Sequence, residues 1–143
     1  MPQQQLDNLV RIGKLKAEAS SNSEIDGLMR SGKARLRDAG LETLSIDSRF
    51  DLAYNAAHAL ALAALRWHGY RSENRYLVFQ CLEHTLQLPR EQWRVLDEAH
   101  RRRNIAEYEG GIDIDAQLIA ALIRSTKEIL RRLQSLIERK QGP

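Results

Sequence analysis

The chemistry this chain could do is concentrated in one stretch, His100-Arg101-Arg102-Arg103-Asn104-Ile105-Ala106-Glu107-Tyr108. Trp93 and Leu96 set an apolar helical face, and His100, Asn104 and Tyr108 continue it at four-residue steps. That spacing stacks side chains on one side of a helix. Three hydrogen-bonding groups therefore stand where core residues are expected, which makes the face either a satisfied polar network or a site. Arg101, Arg102 and Arg103 add a cationic cluster at its edge, suited to nucleic-acid phosphates. Cleavage of RNA without a metal needs a base for the 2′-hydroxyl, a cation for the phosphorane and an acid for the leaving oxygen. Arg103 can supply the cation. A tyrosine is a poor base, with a reference pKa of about 10. His100, one turn before the arginine, would have to act as the base.

A second set of polar residues lies on an alanine-rich segment. Asp51, Asn55 and His58 follow one another at spacings of four and three, and they form a supporting network for the first set. For His58 two readings stay open: an interhelical hydrogen bond, or membership of the site. Glu107 stands four residues after Arg103, close enough on one helix to hold it in an ion pair.

The run Arg103-Asn104 followed by Tyr108 resembles the signature of the HEPN superfamily, in the branch associated with minimal nucleotidyltransferases. The resemblance covers about residues 48 to 137. It implies an all-helical bundle of four or five helices that dimerises with its motifs facing a shared groove. It also implies either a metal-independent endoribonuclease of the toxin type or a toxin–antitoxin component that works by binding. The partners implied are a second copy of the chain, a nucleotidyltransferase-like protein and RNA. Carried over to this chain, Arg103 takes the arginine position and Asn104 the polar residue that often follows it. Tyr108 stands where the motif has histidine. In related pairs a tyrosine near the motif receives a nucleotide. Relatives often carry a Gly-His pair near residue 72, where this chain has Glu73-Asn74-Arg75.

Other chemistries find no support in the sequence. There is no glycine-rich phosphate loop and no dinucleotide fingerprint. The four histidines show no metal-ligand pairing at helical spacing, so neither a metal nor a cofactor is expected. Glu107 and Glu109 fall on different helical faces, and no serine-nucleophile signature is present. A lone cysteine, Cys81, rules out an internal disulfide and reads as a small buried hydrophobe. The net charge of +3 permits nucleic-acid contact without arguing for it. No apolar run reaches membrane-spanning length and Met1 leads into glutamines, so a cytoplasmic protein with no membrane partner is expected.

The elements that must position these residues are all helical. The 143 residues suit one domain, read as an up-down bundle of four core helices plus an N-terminal helical arm over about 5–39. Within the arm, helices are predicted over 5–18 and 24–38. Ser23 caps the second, Gly40 stops it, and Arg30, Lys33, Arg35 and Arg37 give it a basic, solvated face. The strongest helix runs from Arg49 to about His68 with Ser48 as its cap. It carries seven alanines between Asp51 and Leu65, which allow close approach of neighbours. Ser72 caps a helix over 73–86, the motif helix runs from Pro89 to before Gly110, and the last helix runs from Asp113 or Asp115 to about Lys140. The wide apolar faces of the central and last helices predict a homodimer.

Overall fold

Small residues set how closely the two longest-packed helices can lie. Helix α2 (Asn22–Ala39) runs along α3 (Ile46–Trp67), and Gly32 of α2 faces Leu60 of α3. A Cβ at Gly32 would fall 2.6 Å from Leu60 Cγ, and Leu60 is fully buried. Along α3 the alanines 53, 56, 57, 59, 61, 63 and 64 are all buried, so the helix is enclosed on nearly every side. The computed structural model describes residues 2–109 and 114–141, the side chains of 2, 106–109, 140 and 141 excepted.

The described residues form an all-α bundle in the expected up-down arrangement. Around α3 are packed α2, α7 (Ala116–Gln141), and a third group made of α4 (Arg75–Gln80), α5 (Leu82–Thr85) and α6 (Arg90–Glu109). Helix α1 (Pro2–Arg11) packs on α5 through the fully buried Leu6. The core joins Phe50, Tyr54, Leu60 and Leu65 of α3 to Phe79, Leu82, Leu96, Leu122, Ile129 and Leu133.

Several boundaries differ from the sequence reading. The first helix ends at Arg11 rather than 18. Gly13 follows it with φ +80°, a left-handed conformation that glycine adopts without strain. Beyond that turn Lys16–Ala17 (β1), read as the end of the first helix, pairs antiparallel with Tyr70–Arg71 (β2) in a two-residue ladder. The 24–38 segment, placed in an N-terminal arm, packs along α3 with Ile25, Gly32, Leu36 and Ala39 buried. Its basic residues 30, 33, 35 and 37 are exposed, as expected. The 73–86 segment splits at Cys81, although Cys81 itself keeps helical torsion angles and its carbonyl still accepts from Thr85 N. Caps fall earlier or later than read: Ser21, Ser45 and Asn74 accept the first-turn amides, in place of Ser23, Ser48 and Ser72.

The surplus apolar surface expected on the central and last helices is largely taken up inside the chain. Leu118, Ile123, Leu130, Leu136 and Ile137 of α7 are half-buried against the core. Large apolar side chains left exposed among the described residues are Ile12, Leu41, Leu44, Ile46 and Ile105.

The Gly32 contact gives a paired test. Alanine at Gly32 gains about 1 kcal/mol of helix propensity, but overpacking a filled site costs about 1–3 kcal/mol. With Leu60 held by its neighbours, Gly32→Ala is expected to lose up to about 2 kcal/mol in urea unfolding, the overpacking cost less the propensity gain. Gly27→Ala on the same helix meets nothing within 4 Å, and is expected to gain about 0.5–1 kcal/mol. Equal effects at the two positions would refute the close approach.

Candidate functional site

The two sets of residues picked out from the sequence come together between α3, α4 and α6. Their centre is His100. Its Nδ1 lies 2.9 Å from the hydroxyl of Tyr54, and its Nε2 lies 3.2 Å from the amide nitrogen of Asn104. With that amide donating to Nε2, a neutral imidazole keeps its proton on Nδ1 and donates it to Tyr54. The four-residue step on α6 aligns His100 with Asn104, whereas Tyr54 reaches it from α3. The imidazole is also walled by Tyr76, at 5.2 Å between ring centres, and by the edge of Phe79. Tyr54 is fully buried, so the polar contact sits at the bottom of the interface between α3 and α6.

Two guanidinium groups lie over the Tyr54 ring. Arg103 is 5.0 Å and Arg75 5.7 Å from its centre, within the range of cation–π attraction. Arg75 donates to the Asn55 side-chain oxygen at 3.0 Å. Asn55 in turn donates to the backbone oxygen of Asp51 at 2.8 Å, with the Asp51 carboxylate at 3.4 Å. Asp51 and Asn55 are thus linked to each other and, through the Asn55 oxygen, to Arg75, without His58.

His58 makes no hydrogen bond among the described residues. It meets Phe79 edge-on at 6.0 Å. Burial pushes its pKa down, and the positive charges of Arg75 and Arg103 push it further, to about 4. It is therefore neutral near pH 7, with burial the larger cause and the two guanidinium charges adding to it.

The arginine triplet divides. Arg101 and Arg102 both pair with Glu98 one turn earlier on α6, the Arg102 contact at 2.8 Å. Arg103 turns toward α3 and lies over the ring of Tyr54. The side chains of Glu107 and Tyr108 lie outside the described residues, so the expected Arg103–Glu107 pair and the residue in the motif's histidine position do not enter the geometry.

Sequence reasoning missed Arg75, Tyr54 as the partner of His100, and Glu98. Glu98 was accessible, since it precedes Arg101 and Arg102 by three and four residues. Arg75 was not, because its contacts on α3 are 20 residues away in sequence. Asp97 raises the pKa of Tyr76 together with burial, which is the larger cause. A recess of about 400 Å³ opens beside Trp93 and Asp97, but neither Arg103, Arg75, His58 nor His100 lines it. Among the described residues no cluster of His, Cys, Asp or Glu is placed to hold a metal ion, and no helix is long and apolar enough to cross a membrane. No family model matches the chain, and neither a curated protein nor a solved structure matches it.

Proposed function

We propose that the chain is a HEPN-like helical protein that acts by binding, as the RNA-related or toxin–antitoxin component of a nucleotidyltransferase-associated pair. The observation that carries this reading is the double engagement of His100. Both ring nitrogens are occupied, by Tyr54 and Asn104, so the one lone pair of the neutral ring, on Nε2, is already taken by the Asn104 amide and is not presented to a 2′-hydroxyl. His58 lies close by, but a histidine held near pKa 4 is a weak base at neutral pH. Arg75 and Arg103 then serve to receive a phosphate rather than to assist its cleavage. Ile105, exposed on the same helix as Arg103, offers an apolar contact for a second copy of the chain.

A second reading, a metal-independent endoribonuclease with Arg103 stabilising the phosphorane, is favoured by one observation: Arg75, Arg103, His58 and His100 converge on the same few ångströms of α3. Incubation of the purified protein with labelled tRNA and mRNA separates the two. Binding without cleavage is expected at low salt, weakening as salt rises. Arg103→Ala and Arg75→Ala should each reduce RNA affinity about tenfold, the value of one charge-assisted contact. Cleavage by the wild type that disappears in Arg103→Ala and His100→Ala would replace the binding reading with the nuclease. Neither binding nor cleavage would leave only a protein-interaction role. Co-purification with a nucleotidyltransferase-like protein and a light-scattering mass twice 16.4 kDa are the expected results for its partners.

A further inference from the structure

A second basic site lies away from the motif, on the last helix. The end of α5 and the C-terminal half of α7 enclose a recess of about 280 Å³, whose lining includes Thr85, Arg131, Arg132, Ser135 and Arg139. Arg131, Ser135 and Arg139 stand four residues apart on one ridge of α7, so their side chains share a face. Arg132 donates to the carbonyls of Leu86 and Gln87 at 3.1 and 2.9 Å. Those carbonyls, left after the helix ends, would otherwise repel an anion. Glu128 bonds to Arg131 and Arg132, and one carboxylate against three guanidinium groups leaves two positive charges in surplus.

Thr85 supplies an independent observation. It is only 3% exposed and lines this recess, and its hydroxyl, closed off from the recess as the side chain stands, has no hydrogen-bond partner among the described residues. A buried hydroxyl is normally paired. No aromatic ring is among the lining residues, so the recess offers no platform for a nucleobase. Its volume exceeds what a single phosphate fills and lies just below the usual range of small-molecule sites.

We propose that this recess binds a phosphomonoester dianion carried on a small hydroxylated body, such as a sugar phosphate. Arg131 and Arg139 hold the phosphate and the surplus of two positive charges matches its dianion, while Ser135 and the Thr85 hydroxyl, once that side chain turns toward the recess, bond to the phosphate oxygens and the hydroxyls of the body. The site is independent of the Arg103 cluster. The same chemistry could be presented by the terminal phosphate of an RNA, so the probes must separate the two sources.

The test is an NMR titration of the full chain with ribose 5-phosphate, sodium sulfate, and one oligoribonucleotide carrying either a 5′-phosphate or a 5′-hydroxyl. Ribose 5-phosphate is expected to shift the amide signals of residues 85–87 and of α7 near 131–139, with sulfate weaker by about tenfold or more because it lacks the hydroxylated body and the same proton chemistry. Arg139→Ala, at an exposed position, should weaken ribose 5-phosphate binding about tenfold while leaving the fold intact, and Thr85→Val should weaken it severalfold. If the 5′-phosphorylated RNA binds here more tightly than ribose 5-phosphate, the source is an RNA end and the monoester site stands. Four outcomes overturn the proposal: no shifts in these segments, equal binding of sulfate (an adventitious ion only), equal binding of the 5′-hydroxyl RNA, or binding unchanged by both variants.

Discussion

Replacing Arg66 by methionine should remove about 3–5 kcal/mol of stability, the range found when one member of a buried ion pair is lost. Arg66 is 2% exposed, in the last turn of α3. All five of its N–H groups are used. Nε and Nη2 fork onto the Glu24 carboxylate at 2.9 and 3.0 Å. Nη1 donates to the carbonyls of Glu18 and Tyr70, and Nη2 also to that of Ala19. The side chain therefore ties the end of α3 to the β1–β2 ladder and to the start of α2. Glu24 is held below the usual carboxylate range, first by its hydrogen bond from Arg66. Methionine keeps the volume of the stem but orphans three carbonyls and the carboxylate, so hydrophobic replacement has nothing to offset. Lysine restores the charge without the fork and should recover about half of the loss. Glu18→Gln, whose carboxylate is 49% exposed, should change stability by less than about 0.5 kcal/mol. Urea unfolding followed by circular dichroism reads all three. Since small domains hold about 5–15 kcal/mol in total, Arg66→Met should be visibly less stable. A loss below about 1 kcal/mol would mean that the clamp contributes little.

Arg66 also marks where the sequence stops being legible. Periodicity finds α3 because seven alanines and the leucines between them repeat at helical spacing. It says nothing of an arginine whose partners lie 42 and 48 residues upstream. The β1–β2 ladder escapes for the same reason, since two residues show no alternation and the pairing joins distant segments. At the site, spacings within one helix were readable: His100 does meet Asn104, and Asn55 does meet Asp51. Contacts between helices were not, so Tyr54 and Arg75 came only from the fold. The caps were misplaced by short steps because each start offers more than one capping residue, serines before α2 and α3, Ser72 and Asn74 before α4. At Ser45 and Ser48 the earlier hydroxyl accepts the later residue's amide, and the geometry of the preceding turn decides between them.

Protonation of His58 should destabilise the fold as pH falls, and the sign follows from its environment. Its folded pKa of about 4 lies below the ordinary value of 6.5. Between those two values the unfolded chain binds the extra proton, so stability rises with pH in that window. The stability is complete above about pH 6.5 and is lost progressively down to about pH 4. One pKa unit corresponds to about 1.4 kcal/mol. Between about pH 7 and pH 5 the loss is therefore expected to be about 1–2 kcal/mol, after allowance for the partial exposure of the ring. The groups facing His58 are Arg75, Arg103 and the edge of Phe79, none of which favours the imidazolium. The carboxylates held low by arginines, Glu24 and Glu128, lose their contributions only below about pH 4.5, so they do not overlap the upper part of the window. His58→Gln should flatten the difference between pH 7 and pH 5 by the stated amount, which cancels the other histidines in the comparison. Arg103→Ala removes one of the two repelling charges and should raise the His58 midpoint, read directly from its ring proton signals in a pH titration. A wild-type midpoint near 6.5 would show that neither the burial nor the two guanidinium groups act on this histidine.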